Sequence, residues 1–520
     1  MHSLKNPLLF RPSSRPTSPA PPSRPDSGIG MERSRPLTKL SLNNLRRASP
    51  APLPNAAPAP HTLIQDGSYL EMLSLKLSEA VSKAVSQPSG TPAMNDVVGG
   101  KKPLPSGRGG ALGALIVSEL KAANGNPHLH RAIVRSLHKP LSVLLGSLST
   151  MMLPLLSSPA FLIPPAPTVQ SPNPNAVQLH AIAVATFAGE LLETFDDLHL
   201  GHDNDVRGDG LKGIREGLVS LVNRVINPLI GGIRNELIPI IDALEQSTPG
   251  KMTTGARNVM LHTSITALQL TIPVYAQALR RYTTSRTAQN LLVPFVISLV
   301  WRSMVAICHR PATTPSPPAS PGALSAATKK RRSSPTSTPP LTPPASRFTI
   351  KLPSSRPPSP SALLPVPTIS PVTDGRALCD LLVTLPVPTA DTESGRLGRE
   401  AIDEALDGLR ALIDLFDSAQ PLLKAKDRTT EECALELEHV TEKIPTLIAL
   451  PVLLRAHGLD IRSEVVLGLS EEDYRNSCLT GFGRADECAT PVGLRVLDYF
   501  HSSVSVAPVL SAWLEKEIAD

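Results

Sequence analysis

The chain has 520 residues, with 51 basic and 45 acidic side chains for a net charge of +6, 55 prolines, 5 cysteines and only 3% aromatic residues. Clustered Pro, Ser and Thr cannot bury enough apolar surface to fold, so one continuous globular fold over the whole length is excluded. Cysteines that are odd in number and scattered exclude a disulfide framework and point to a reducing compartment, and a core poor in aromatics, without alternating β-branched runs, predicts an all-α protein.

The charge is unevenly placed. Residues 1–60 hold 9 basic and 2 acidic groups and residues 310–373 hold 8 basic and none acidic, whereas residues 374–520 hold 14 basic and 27 acidic. Four parts follow: a basic Pro/Ser-rich tail (1–60), a helical domain (61–309, core 174–246), a basic Pro/Ser/Thr-rich insertion (310–373) and an acidic helical domain (374–520) that packs on the first. The tail and the insertion read as disordered. Steering toward anionic partners would come from these segments and not from a folded groove. The apolar patch from Pro7 to Phe10 stops at Arg11, too short for a signal peptide, so the expected location is cytoplasmic, nuclear or both.

In the tail, Ser18 sits in Arg15-Pro16-Thr17-Ser18-Pro19, and Ser49 follows Arg46-Arg47-Ala48 and precedes Pro50, a stretch that resembles basophilic and proline-directed kinase substrates. Ser68, with Glu71 three residues on, reads as the cap of a first helix bearing Leu70, Leu73, Leu77, Ala80 and Ala84. Gly107, Gly109 and Gly113 look like a phosphate-binding loop, but no strand precedes them and no Gly-Lys-Ser/Thr follows, so a flexible helix entry is expected. His128, Arg131, Arg135, His138 and Lys139 share a face that reads as solvated. Leu141 to Ile163 carries no charge, yet Pro154 and Pro159 interrupt it; a buried helix followed by a proline-rich loop is expected, with no membrane span.

The organising stretch is Pro174 to Gln246. A helix opening at Asn173-Pro174 is expected to run to about Leu200, a second to carry Leu211, Ile214, Leu218, Leu221 and Val225, and a third to open at Asn227-Pro228 with Ile230, Ile233, Leu237, Ile240, Ile241 and Leu244. Between the first two lie Asp196, Asp197, His199, His202, Asp203, Asp205, Asp209 and Glu216. As a calcium loop from Asp205 the set is opposed by Arg207 and Lys212. The His202-Asp203 doublet, with His180 upstream, resembles the metal site of all-helical HD-type hydrolases. Asp and Gly forming turns account for the same residues, and this is the reading adopted. Two further helices are expected at about Ala256 to Tyr282 and Thr287 to His309.

In the insertion, Lys329, Lys330, Arg331 and Arg332 resemble a nuclear-import signal, surrounded by candidate phosphosites at Ser320, Ser334, Thr338, Thr342 and Ser359. Each phosphate adds about −1.5 to −2 charges, so a few events would cancel the basic character of the segment. In the acidic part, Leu406, Leu409, Ile413 and Phe416 form one stripe, followed by short helices from Cys433 to Ile518. Helix after helix with short connections resembles armadillo- or HEAT-type solenoids, an irregular helical bundle being the alternative. No catalytic residue, metal ligand or cofactor is assigned. The function expected is that of a non-enzymatic helical adaptor or regulatory scaffold that binds protein partners, with kinases as modifiers. The runners-up are a nuclear factor contacting nucleic acid through its Lys/Arg segments, although nucleic acid is not the expected partner, and a metal-dependent hydrolase at the His199–Asp209 loop. Peripheral contact of the basic segments with a membrane surface is a further reading.

Overall fold

The computed structural model describes residues 62–88, 98–164, 174–202, 210–246, 261–310, 370–425, 427–459, 464–502 and 508–519. Apart from one isolated bridge between Val98 and Lys101, regular structure in them is helical. In chain order come α1 (Thr62–Val85), α2 (Arg108–Ala122), α3 (Pro127–Leu156), α4 (Ala176–Asp197), α5 (Lys212–Asp242), α6 (Thr263–Tyr282), α7 (Arg286–Asn290) and α8 (Leu292–Cys308). Beyond the insertion follow α9 (Pro371–Val383), α10 (Glu393–Lys424), α11 (Thr430–Thr441), α12 (Thr446–His457), α13 (Glu464–Leu467), α14 (Glu471–Asp473), α15 (Phe482–Ser502) and α16 (Pro508–Ala519).

Packing follows chain order through most of the body. α1 lies on α3, α2 on α4, α3 on α4 and α5, and α5 on α6 and α8; α6 and α8 then meet α9, and α8 meets α10. This is a stack of helices, in which each element covers the apolar face of one a few positions away. The end departs from that rule: α16 returns to α11 and α15 to α12, closing a small bundle against α10. One connected set of buried side chains runs from Leu73 in α1 to Leu514 in α16.

Several helix starts are capped by polar side chains. Asn126 accepts from the His128 and Leu129 amides at 3.1 and 3.2 Å ahead of Pro127. Asn175 and Gln178 form a reciprocal capping box at α4, at 2.9 and 3.1 Å, and Thr429 with Glu432 does so at α11. Each such cap contributes about 1 kcal/mol.

Several expectations are corrected. α1 begins before Ser68, which is inside the helix and caps nothing. The cap of α4 is Asn175, not Asn173. Asn227-Pro228 opens no helix: α5 runs unbroken through Pro228 and Pro239, so the second and third helices expected there are one. A proline inside a helix forfeits a backbone bond and costs about 3 kcal/mol. The stripe Ile214, Leu218, Leu221, Val225, Leu229, Ile233, Leu237 and Ile241 passes straight through it and is buried throughout. At about 1.5–3 kcal/mol per side chain, that burial outweighs two prolines. The same holds for α3, which passes through Pro140 and Pro154.

Between α2 and α4 the backbones approach closely. A Cβ at Gly109 would stand 2.3 Å from the Phe187 carbonyl oxygen, and one at Gly113 would stand 2.0 Å from Thr194 Oγ1. The Gly-x-x-x-Gly spacing therefore serves helix packing.

Among the described residues two stretches are long and apolar enough to cross a membrane: Pro127–Leu156, 33% buried in its most apolar window and so less covered than the buried helix expected there, and Arg286–Cys308, 67% buried. The second includes α8, which lies among α5, α9, α10 and α12 with most of its side chains buried, so the interior of the stack accounts for its apolarity.

Candidate functional site

All the candidate phosphosites (Ser18, Ser49, Ser320, Ser334, Thr338, Thr342 and Ser359) and the cluster Lys329, Lys330, Arg331 and Arg332 lie outside the described residues. What the structure defines is the frame that carries the insertion. The last described residue before it is Arg310 and the first after it is Ser370. Arg310 Nη1 stands 2.5 Å from Asp374 Oδ2, with the two side chains 5% and 1% exposed. The other carboxylate oxygen of Asp374 accepts from the His262 amide at 2.9 Å, and the Arg310 carbonyl accepts from the Arg455 guanidinium. Both ends of residues 311–369 are thereby fastened to one buried ion pair.

This clasp sits where helix ends converge. His262 at the start of α6 faces the Gln246 carbonyl across 2.8 Å. Arg475, in a π turn (Tyr474–Cys478), reaches Glu245 at 2.6 Å and Glu471 at 3.0 Å. Asp242 beside them titrates above the usual carboxylate range because burial disfavours its charge, against the attraction of Arg302 and Arg475,. Trp301 of α8 donates to the Leu479 carbonyl at 2.8 Å. These bonds tie helices on the two sides of the insertion in sequence.

The polar constellation after α4 divides. Asp196 pairs with Arg215 at 2.6 Å and Asp197 with Arg286 at 3.1 Å, while Glu216 lies 3.9 Å from Lys212. Asp203, Asp205 and Asp209 lie outside the described residues. His199 adopts a left-handed backbone (φ +51°), and its ring centre is 6.1 Å from that of His202. His180 does not join them: it lines a different groove from His202. Among the described residues no group of three or more His, Cys, Asp or Glu side chains is placed to hold a metal ion. The face of His128, Arg131, Arg135, His138 and Lys139 is exposed.

The glycine run resembling a phosphate loop binds an anion from its own chain. The amides of Gly107, Gly109 and Gly110 donate to the Glu190 carboxylate of α4 at 2.7, 3.0 and 3.2 Å. Gly107 takes φ +84°, which aims its amide at that carboxylate,. No local pattern marks this anion, which lies 80 to 83 residues along the chain from the amides.

The five cysteines are free and buried. Burial pushes the Cys308 thiol up to about 12, and burial together with the neighbouring Cys488 pushes Cys478 up to about 11. Both stay protonated near neutrality, so neither offers a thiolate nucleophile.

Two open grooves flank α3. One, of about 900 Å³, is lined by Lys101, Val143, Thr150 and His180. The other, of about 830 Å³, runs along α5 from Gly201 and His202 past Asn223 and Asn227 to Leu156 and Leu162. Both volumes lie within the range of ordinary ligand pockets. Compared with protein-family models, with curated proteins and with solved structures, the chain matches none.

Proposed function

We propose that the protein is a non-enzymatic helical adaptor or regulatory scaffold. It acts in the cytoplasm or nucleus, binds protein partners through its helical body, and is tuned by phosphorylation of its basic tail and insertion. The observation that carries this reading is the clasp. A long segment rich in Ser-Pro and Thr-Pro sites, with seven basic and no acidic residues between 311 and 369, leaves and re-enters the body at one buried ion pair. The fold is thus built to carry that segment without being interrupted by it. Four of the body's carboxylates, Asp196, Asp197, Glu245 and Asp374, each face an arginine. Such a body offers surfaces more readily than reactive groups.

The test is affinity purification of three full-length forms: wild type, a form with alanine at Ser18, Ser49, Ser320, Ser334, Thr338, Thr342 and Ser359, and a form with Lys329 to Arg332 changed to glutamine. Discrete protein partners whose occupancy changes between wild type and the alanine form are expected. No stable partner in any form, or partners indifferent to all seven sites, would overturn the reading.

A further inference from the structure

We infer that the groove along α5 is a docking site for a short, extended, acidic peptide segment of a partner protein; the inference rests on the adaptor reading and names its surface. Ser220, Asn223, Arg224 and Asn227 border this groove on successive turns of α5. None of these four side chains has a hydrogen bond or ion pair to any described residue. That sets them apart from helix hydroxyls nearby, since Ser147 and Thr150 both donate to their own helix backbone.

The two other cations of the groove are committed. Arg215 faces Asp196 at 2.6 Å and Lys212 lies near Glu216. Arg224 is the cation left for a ligand. Across from α5 the lining is apolar, with Leu156 and Leu162, the latter 61% exposed, and Val219 and Pro228 of α5 itself extend the apolar surface.

The chemistry of the wall selects the ligand. A carboxamide presents one acceptor and two donors, which complements the alternating C=O and N–H groups of an extended chain. From residue 220 to residue 227 α5 rises about 10 Å, the length of about three residues of extended peptide. Successive side chains of such a peptide point to opposite sides. One can then rest against Leu156 and Leu162 while its neighbour presents a carboxylate to Arg224. Nucleic acid fits less well: a single uncommitted cation neutralises little phosphate charge, and of the two aromatic rings lining the groove, Phe161 and His202, the first is 1% exposed and closed to base stacking,.

The test selects phage-displayed random short peptides on the full chain, then measures a fluorescently labelled winner by anisotropy. Winners are expected to carry an Asp or Glu. Arg224→Glu, and separately Asn223→Ala with Asn227→Ala, should weaken binding roughly tenfold to hundredfold, the range for losing charge-assisted and neutral hydrogen bonds. A peptide with that acid changed to Lys should recover affinity for Arg224→Glu. Because Arg224 and Asn227 are exposed and Asn223 is half-buried, these variants should melt as the wild type does. Failure to enrich acidic peptides, equal binding by all variants, or displacement of the peptide by a single-stranded oligonucleotide would overturn the inference. Affinity purification separates the two readings. Partners kept in full by the groove variants refute the groove and leave the adaptor standing, whereas absence of partners from wild type refutes both.

Discussion

Asp374→Asn should destabilise the folded body by about 3–5 kcal/mol, the cost of leaving one member of a buried ion pair without its counter-charge. The substitution is chosen because it is narrow. Asparagine keeps a side-chain oxygen to accept from the His262 amide, now at 2.9 Å, so the loss reports the charge on Arg310 and not an orphaned amide. Arg310 is 5% exposed, so its charge has little water to turn to. Arg310→Met should cost a similar amount by stranding Asp374. The double variant should lie within about 1 kcal/mol of wild type, because both desolvated charges are gone. The coupling energy of the cycle is then at least about 5 kcal/mol. Urea unfolding followed by far-ultraviolet circular dichroism reads all four proteins. If Asp374→Asn unfolds within about 0.5 kcal/mol of wild type, the pair is solvated and the clasp does not exist.

Four further outcomes are expected. A protease site placed between residues 311 and 369 and then cut should leave two fragments that co-elute on gel filtration, held by the Trp301–Leu479 and Arg475–Glu245 bonds; separation of the fragments would contradict the packing. Leu218→Asp puts a charge at a position 1% exposed and should cost several kcal/mol, abolishing the cooperative melt; an unchanged melt would show that the α5 stripe is not covered. Glu190→Ala removes the acceptor for three amides at the start of α2 and should cost about 1–2 kcal/mol in thermal unfolding, against no change if those amides are solvated,. Burial raises the Glu517 carboxyl above its usual range, even though Thr446 and Thr441 donate to it at 2.9 and 3.0 Å. The folded state therefore holds that proton at a higher pH than the unfolded state does, and this group favours folding more as pH falls from neutral toward about 4.5. Glu517→Gln should melt at or above wild type at pH 7 and lose that part of the pH dependence.

The sequence made the helical class legible because its signal is long and repeated. Ile214, Leu218, Leu221 and Val225 recur at helical spacing, and all four are buried. Boundaries were harder, for one physical reason. Ser68, Asn227-Pro228 and Pro154 carry local signals for a helix start or stop, and each lies inside a helix; at Asn227-Pro228 and Pro154 packing of a continuous apolar stripe overrides the signal. α10 shows the same effect from the other side. The stripe from Leu406 to Phe416 is plain, but the helix reaches from Glu393 to Lys424, a start set by Thr392, whose hydroxyl accepts from the Gly395 amide at 3.1 Å. The clasp and the Glu190 cap were not legible at all, since their partners lie 64 and more than 80 residues apart and no local pattern marks either member. The α5 groove was half legible. Asn223, Arg224 and Asn227 stand on the polar side of a visible stripe, but only the fold reveals that they line a hollow and hold no partner among the described residues.

The most direct test of the central proposal is proximity labelling in cells, with wild-type protein and a form neutralised at Lys329, Lys330, Arg331 and Arg332, and the phosphosites mapped on the same samples. The adaptor reading expects one reproducible set of neighbouring proteins, shared by both forms at a single cellular structure, with phosphate on the tail and insertion. Neighbours drawn from chromatin or RNA-bound proteins that vanish when the four charges are removed would contradict it.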